Sequence, residues 1–380
     1  MGFDIRAFFS YGFRPFFLLG QIYAALAIVF WIAGFSGLIE MRAPTWHAHE
    51  MLFGYTLAAI TGFFLTAVPG WTGSKPVHGG TLVVLTLTWL AGRIVMFFST
   101  ALPGLVVAVI DLAFIPLLLA LVLRSLMARP SPRNLIFVPI LTALFVANLL
   151  THFDSVDIGL RFGLNVVIVL IAIIGGRIVP AFTTNALRRE NIEPLPASYK
   201  WLDIAAVLSV VAVAASELAQ ASGPISGWVA AFAAILNGGR FVGWRGNKTL
   251  GEPILWITHL GYAWLIIGLG LKSAAHFDLL SETAALHALT VGAIGCMTLG
   301  VMTRASLGHT GRAIVAPRPI VLAYILVGLA ALLRVGGPIL VPDYYALVIS
   351  VSGGIWSLAF AITATVFWPI LTRRRLGGDS

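Results

Sequence analysis

Twelve apolar runs, each close to the roughly 20 residues that a helix needs to cross the hydrocarbon core, divide this sequence. They lie at 16–38, 47–68, 79–98, 103–124, 134–152, 161–182, 201–221, 224–243, 253–271, 282–303, 318–336 and 344–371. The breaks between them hold Pro, Gly and charge, as in "PGWTGSKPVHGG", "RPSPRN" and "RRENIEPLPASYK", the residues that end a regular element. Only 10% of residues are charged, against about 25% in a soluble domain. No interval between runs is long enough for a soluble domain. The expected fold class is therefore an all-α polytopic membrane protein of about twelve transmembrane helices, with residues 1–380 forming one integral membrane domain.

The basic residues set the orientation. With the N-terminus inside, nineteen Lys and Arg fall on the cytoplasmic side, and five (Arg42, Arg93, Arg161, Lys272 and Arg334) fall on the other. This strong positive-inside bias predicts twelve spans with both termini cytoplasmic. It also accounts for the net charge of +9 as a topology signal, so nucleic acid is not an expected partner; the lipid bilayer is. The opening "MGFDIRAFFSYGFRPFF" lacks a small-residue cleavage site and reads as retained. The single cysteine, Cys296, excludes a disulfide framework, a CxxC pair and a c-type haem attachment motif. Small residues spaced as Gly239 and Gly243 predict close helix packing.

Topology sorts the eight histidines by depth. His47 and His49 open the second span in "WHAHEMLFGY", His152 ends the fifth, His276 precedes the tenth, and His287 lies one or two turns into it. These five share the outer level. His259 lies in the inner part of the ninth span, and His78 and His309 lie in inner loops. An ionisable residue within a span is costly and marks a functional candidate, and imidazole is the commonest metal ligand. His78, His152 and His276, alone at helix ends, read more readily as interfacial or hydrogen-bonded residues.

An internal repeat singles out His49 and His287. A shift of 238 residues lays "HEMLFGYTLAAITGFFLTAVPGWTG" over "HALTVGAIGCMTLGVMTRASLGHTG" with seven identities in 25 positions, among them His49 on His287 and Gly73 on Gly311. Both spans run outside to inside, so the second and tenth helices form a parallel repeat. Two histidines at one depth on parallel helices have the geometry of bis-imidazole haem ligation. Arg93, near the outer end of the third span, is expected either to meet a haem propionate or to be paired with a carboxylate, Glu50 or Asp111. On an ideal helix His47 and Met51 share a face and His49 does not. His47 with Met51 and either His152 or His276, and separately Cys296, Met297 and Met302, offer imidazole and sulfur donors of the kind that suit copper; a methionine on a membrane helix is more often packing.

"WHAHEMLFGY", "GFFLTAVPGWTG", "GGRIVPAFTTNAL", "PILWITHLGYAW" and "LHALTVGAIGCMTLGVMTRASLGHTGR" resemble the signature blocks of the NnrS family over nearly the whole chain. The resemblance implies a bacterial inner-membrane protein containing haem, expected to be b-type, and copper. It implies a link to denitrification and to relief of nitrosative stress. Nitric oxide or a metal–nitrosyl species would be the partner, with an electron donor a further one. Its motifs fall on His47, His49, Glu50, Arg177, His259, His287, Arg304 and His309. The expected cofactor-binding residues are His49, His287 and Arg93, and the expected metal ligands are His47, His49, His259, His287 and His309. His259 lies about 10–15 Å deeper than His287 at 1.5 Å per residue, too far for both to ligate one iron.

Two functions follow. One is a haem and copper protein of nitric oxide metabolism, with haem held near the outer side between the second and tenth helices. The other is a secondary transporter of a metal ion or small anion, in which Glu50, Asp111, Arg177, Glu217 and Arg304 serve gating or proton relay. The clustering of histidines at one level, away from the midplane, speaks for the first.

Overall fold

The computed structural model describes residues 3–153 and 155–377. It is 80% helical, and among the described residues there is no strand and twelve helices are long and apolar enough to span a membrane. They are α1 (Phe13–Phe35), α2 (Ala43–Thr72), α3 (Gly79–Phe97), α4 (Gly104–Met127), α5 (Pro132–Thr151), α6 (Val156–Arg189), α7 (Lys200–Leu218), α8 (Gly223–Val242), α9 (Pro253–His276), α10 (Glu282–His309), α11 (Arg318–Leu340) and α12 (Pro342–Leu371). Each expected span has its helix, because a backbone in lipid must satisfy every N–H and C=O internally.

The helix ends differ from the apolar runs where capping chemistry overrides hydropathy. Pro44 occupies the first turn of α2, a position where its missing N–H costs nothing. The helix thus starts four residues before His47, and the His-rich segment lies inside it, not at its mouth. At the other end α2 continues to Gly73, which is left-handed with φ +72. Close packing at Gly239 and Gly243 is not what forms: nothing lies within 4 Å of a Cβ at Gly239, and Gly243 abuts the Ala197 carbonyl. The close approach is instead between α9 and α10. A Cβ on Gly261 would meet Met297 N at 2.7 Å, one on Gly268 would meet Leu289, and one on Gly292 would meet the Trp264 ring. Small residues there allow two backbones to pack in van der Waals contact.

The chain divides into two compact units. The first comprises residues 1–164, 302–314 and 360–380. Its core is aromatic: Phe16 packs on Trp89 and Phe114, and Phe64 and Trp71 pack on Phe137. Gly62 makes room for Phe17. The second comprises residues 165–301 and 315–359 and contains the α9–α10 contact.

The repeat has a structural signature that no apolar pattern announces. Glu50–Thr56 of α2 and Ala288–Ile294 of α10 are both π-helical. They lie 238 residues apart, each starts directly after the histidine, and both helices are followed by a left-handed glycine, Gly73 and Gly311. The same shift carries α1 onto α9, α3 onto α11 and α4 onto α12 to within a few residues. The repeat therefore extends to four helices. Single π turns within α-helices concentrate at functional sites.

The two glycines have different surroundings. A Cβ at Gly73 meets nothing, whereas one at Gly311 would lie 2.5 Å from the Leu376 carbonyl. Gly73→Ala is expected to cost about 1 kcal/mol from the left-handed backbone alone. Gly311→Ala is expected to lower the thermal midpoint in detergent clearly further. Equal shifts would show that the Leu376 contact is not made.

Candidate functional site

Five spans of the first unit each send a polar side chain to one buried place. Tyr23 comes from α1, His49 and Glu50 from α2, Arg93 from α3, Asp111 from α4, and Asn148 and His152 from α5. Arg93 sits between the two carboxylates, its Nη1 on Glu50 and its Nη2 on Asp111. Tyr23 donates its hydroxyl to Glu50 Oε2. His49 is 2% exposed and has both ring nitrogens engaged. Nδ1 lies 2.9 Å from Glu50 Oε1, and Nε2 lies 2.9 Å from Asn148 Oδ1 and 3.4 Å from Asp111 Oδ2. His152 Nε2 is 3.0 Å from the same Asp111 oxygen, and Asn148 Nδ2 donates to it at 2.8 Å.

Two glycines frame the cluster. A Cβ at Gly54 would fall 2.7 Å from the Tyr23 ring and 3.1 Å from both Arg93 Nη1 and Glu50 Oε2. One at Gly92 would lie 3.2 Å from Asp111 Oδ1. Gly54 belongs to the π segment, and its carbonyl accepts the Trp89 indole N–H at 3.1 Å. The π turn thus serves the site by exposing a carbonyl and by holding a residue without a side chain against it.

The electrostatics call for one more positive charge, from a proton on His49, which lies between the two carboxylates, or from a bound cation. Glu50 and Asp111 carry two negative charges and Arg93 one positive charge. With neutral imidazoles one negative charge is left in a water-poor interior, where isolated charge is costly. His49, Asp111 and His152 each offer one donor atom, and these atoms lie within 4.8 Å of one another. Donors about 2.0–2.2 Å from a tetrahedral metal stand a little over 3 Å apart. The 3.0 and 3.4 Å separations around Asp111 Oδ2 match that spacing. Two imidazoles and a carboxylate suit Zn or Cu, so this donor set fits copper. Glu50 Oε1, 2.9 Å from the other ring nitrogen of His49, supplies the oriented second layer that metal-binding histidines usually have, and Asn148 Oδ1, now 2.9 Å from Nε2, would give way to the metal.

The remaining candidates are dispersed. In the first unit, His47 stacks on the Trp31 ring with centroids 4.3 Å apart, and His309 lies beside Tyr11 and Phe13. The indole N–H groups of Trp31 and Trp46 are buried there without a hydrogen-bond partner, donors suited to the oxygens of a bound anion. In the second unit, His287 has Nδ1 2.7 Å from the Thr283 carbonyl. Facing an acceptor, that nitrogen is the donor, which puts the lone pair on Nε2 as an iron ligand requires. His259 Nε2 lies 2.9 Å from Thr183 Oγ1, while its buried Nδ1 has no partner and faces Gly246. Met297 fills the space left by Gly175 and Gly261, a packing role, and Cys296 is a buried free thiol.

Arg93 thus takes the carboxylate-paired of its two expected arrangements, with both Glu50 and Asp111 at once. Glu217, a candidate relay group, binds Lys272 at 2.5 Å and accepts from Asn165 at 2.6 Å. Tyr23 and Asn148 were not expected at the site. The signal available for Asn148 was an amide one turn before His152 in an apolar span; Tyr23 had none beyond its depth in α1.

Comparison with known proteins gives one family. The sequence profile described as NnrS protein matches residues 7–375. No curated protein matches the chain.

Proposed function

Because this chain belongs to the NnrS family, we propose that it is a metal-bearing membrane protein of the bacterial nitric oxide response, with copper held by His49, Asp111 and His152. The convergence of these three donors within a buried cluster drawn from five spans carries the reading. When bound, copper supplies an electron-transfer centre with affinity for nitric oxide or a metal–nitrosyl species. The chain's own residues do the rest. Asp111 orients both imidazoles, Arg93 offsets the two carboxylates, and the Tyr23 hydroxyl holds Glu50 against His49. The apolar spans exclude water, which strengthens each of these interactions. For haem, His287 would supply an iron ligand, since its Nδ1 faces the Thr283 carbonyl and leaves the lone pair on Nε2.

The test is metal content and visible spectra of detergent-purified wild type, Asp111→Asn, His152→Ala and His287→Ala. Losing even an outer partner of a metal ligand weakens binding about 10–100-fold. Asp111→Asn and His152→Ala are therefore expected to lose copper by at least that factor while keeping the haem spectrum. His287→Ala is expected to do the reverse. Full copper in both triad variants would sink the assignment. A colourless, metal-free wild type would favour the transporter, with the Glu50–Arg93–Asp111 cluster as its relay.

A further inference from the structure

The end of the first unit opposite His49 gathers positive charge. Residues 3–14, 309–314 and 371–377 contain Arg6, Arg14, Arg312, Arg373, Arg374 and Arg375 against a single carboxylate, Asp4. A basic tail after a last span is usually a loose topology signal. This one is pinned. Asp4 N donates to the Thr372 carbonyl at 3.0 Å, and the buried Arg14 donates through Nη1 to the carbonyls of Leu371 at 2.9 Å and Arg373 at 2.6 Å. Leu376 N donates to the Thr310 carbonyl at 3.0 Å. The backbone of the arginine triplet is thereby fastened on both sides, to the N-terminal segment and to the end of α10.

Like charges so fixed repel one another unless an anion joins them. Arg312, half-buried, is held below its ordinary pKa by burial and by the Arg373 guanidinium. A Cβ at Gly311 would lie 3.5 Å from Arg375 Nε, so Arg375 stands over the same turn. Asp4 engages Arg374, at 3.2 Å. Next to these charges, Phe3 (50% exposed) lies against Trp368 (48% exposed), and Ile5 and Leu376 are also exposed. An aromatic and aliphatic rim beside an arginine group matches the two halves of a phospholipid: acyl chain and phosphate.

We propose that Arg312, Arg373 and Arg375 form a binding site for the phosphate of an anionic phospholipid headgroup, with the Phe3–Trp368 surface receiving its acyl chain. Arginine suits phosphate because its planar fork bonds two oxygens at once. A free phosphate shares the headgroup chemistry but gains nothing from the apolar rim. Anionic lipid also sits where the positive-inside rule puts this face.

The experiment uses the full chain in nanodiscs of phosphatidylcholine alone or with phosphatidylglycerol, followed by thermal unfolding and by native mass spectrometry of retained lipid. Wild type is expected to gain about 2–4 °C from phosphatidylglycerol, the shift that a roughly hundredfold binding preference produces in a chain of this size. The triple variant Arg312→Gln/Arg373→Gln/Arg375→Gln is expected to lose that gain and to retain the lipid on the order of a hundredfold more weakly. The corresponding triple Lys variant is expected to keep part of both. Should the triple Gln variant not fold, Arg374→Gln/Arg375→Gln, on exposed side chains, is expected to show a partial loss. The proposal fails if phosphatidylcholine stabilises as well as phosphatidylglycerol, or if the Gln variants bind as wild type does. It also fails if inorganic phosphate alone reproduces the shift, which would make the group a soluble-anion site.

Discussion

Arg93→Met is expected to destabilise the protein by about 3–5 kcal/mol, the usual result of removing one partner from a buried ion pair. The cost does not come from losing attraction alone. Arg93 answers two carboxylates, Glu50 and Asp111, both fully shielded from solvent. Its removal leaves their charges facing each other across α2 and α4 with only the histidines to help. The diagnostic is rescue. Arg93→Met/Glu50→Gln/Asp111→Asn is expected to regain most of the lost thermal stability, because a well-packed neutral cluster is often as stable as a charged one. The same triple variant is expected to bind no copper. An exposed pair serves as control: Arg189→Ala, which breaks contact with Glu252, is expected to cost well under 1 kcal/mol. If Arg93→Met unfolds no more easily than the control, the carboxylates are neutralised by something other than Arg93.

Gly176→Ala is expected to be comparably damaging in the second unit, for a steric reason with an electrostatic consequence. The Arg240 guanidinium lies flat on Gly176; a Cβ there would fall 1.6 Å from Nη2 and 2.1 Å from Cζ. Arg240 has no room to yield, since Nε donates to Asp203 at 2.7 Å and Nη1 to the Ala172 carbonyl and the Tyr262 hydroxyl, each at 3.0 Å. One methyl group therefore expels a buried cation and leaves Tyr262 with Asn237 alone. A loss of about 3 kcal/mol or more is expected. The adjacent Gly175→Ala meets Tyr262 Cδ2 at 3.1 Å and the flexible end of Met297 at 3.3 Å, and is expected to cost about 1 kcal/mol. Thermal unfolding of the two variants side by side decides it; equal stability would mean that Arg240 does not rest on Gly176.

These expectations rest on features of unequal visibility in the sequence. The twelve spans were plain because bilayer thickness imposes a length that few other structures require. His49, Glu50, Arg93 and Asp111 stood out for a related reason: an ionisable group in an apolar run is too costly to be idle. Their mutual arrangement was less visible. Asp111 was expected as a carboxylate for Arg93 or as a relay group, and its place between His49 and His152 depends on how α4 and α5 pack. The π segments were hidden altogether. "EMLFGYT" and "ALTVGAI" share only the glycine of Gly54 and Gly292, and nothing in either composition asks for a widened turn. They emerge only when the two copies are aligned by structure. The start of α2 was misplaced because hydropathy is blind to Pro44.

The matched π turns also order the events in the chain's ancestry. A widened turn arises when one residue is added to a helix that was regular, and it weakens that helix unless something compensates. Two independent insertions at one register, each directly behind a histidine, would be a coincidence of position and of tolerance. One insertion followed by copying of the whole four-helix module needs no coincidence. The two descendants then parted at the next residue. One has Glu50, at the heart of a charged cluster; the other has Ala288, fully buried and without charge. A single ancestral histidine has thereby gained two surroundings, a charged cluster for His49 and a backbone carbonyl, that of Thr283, for His287.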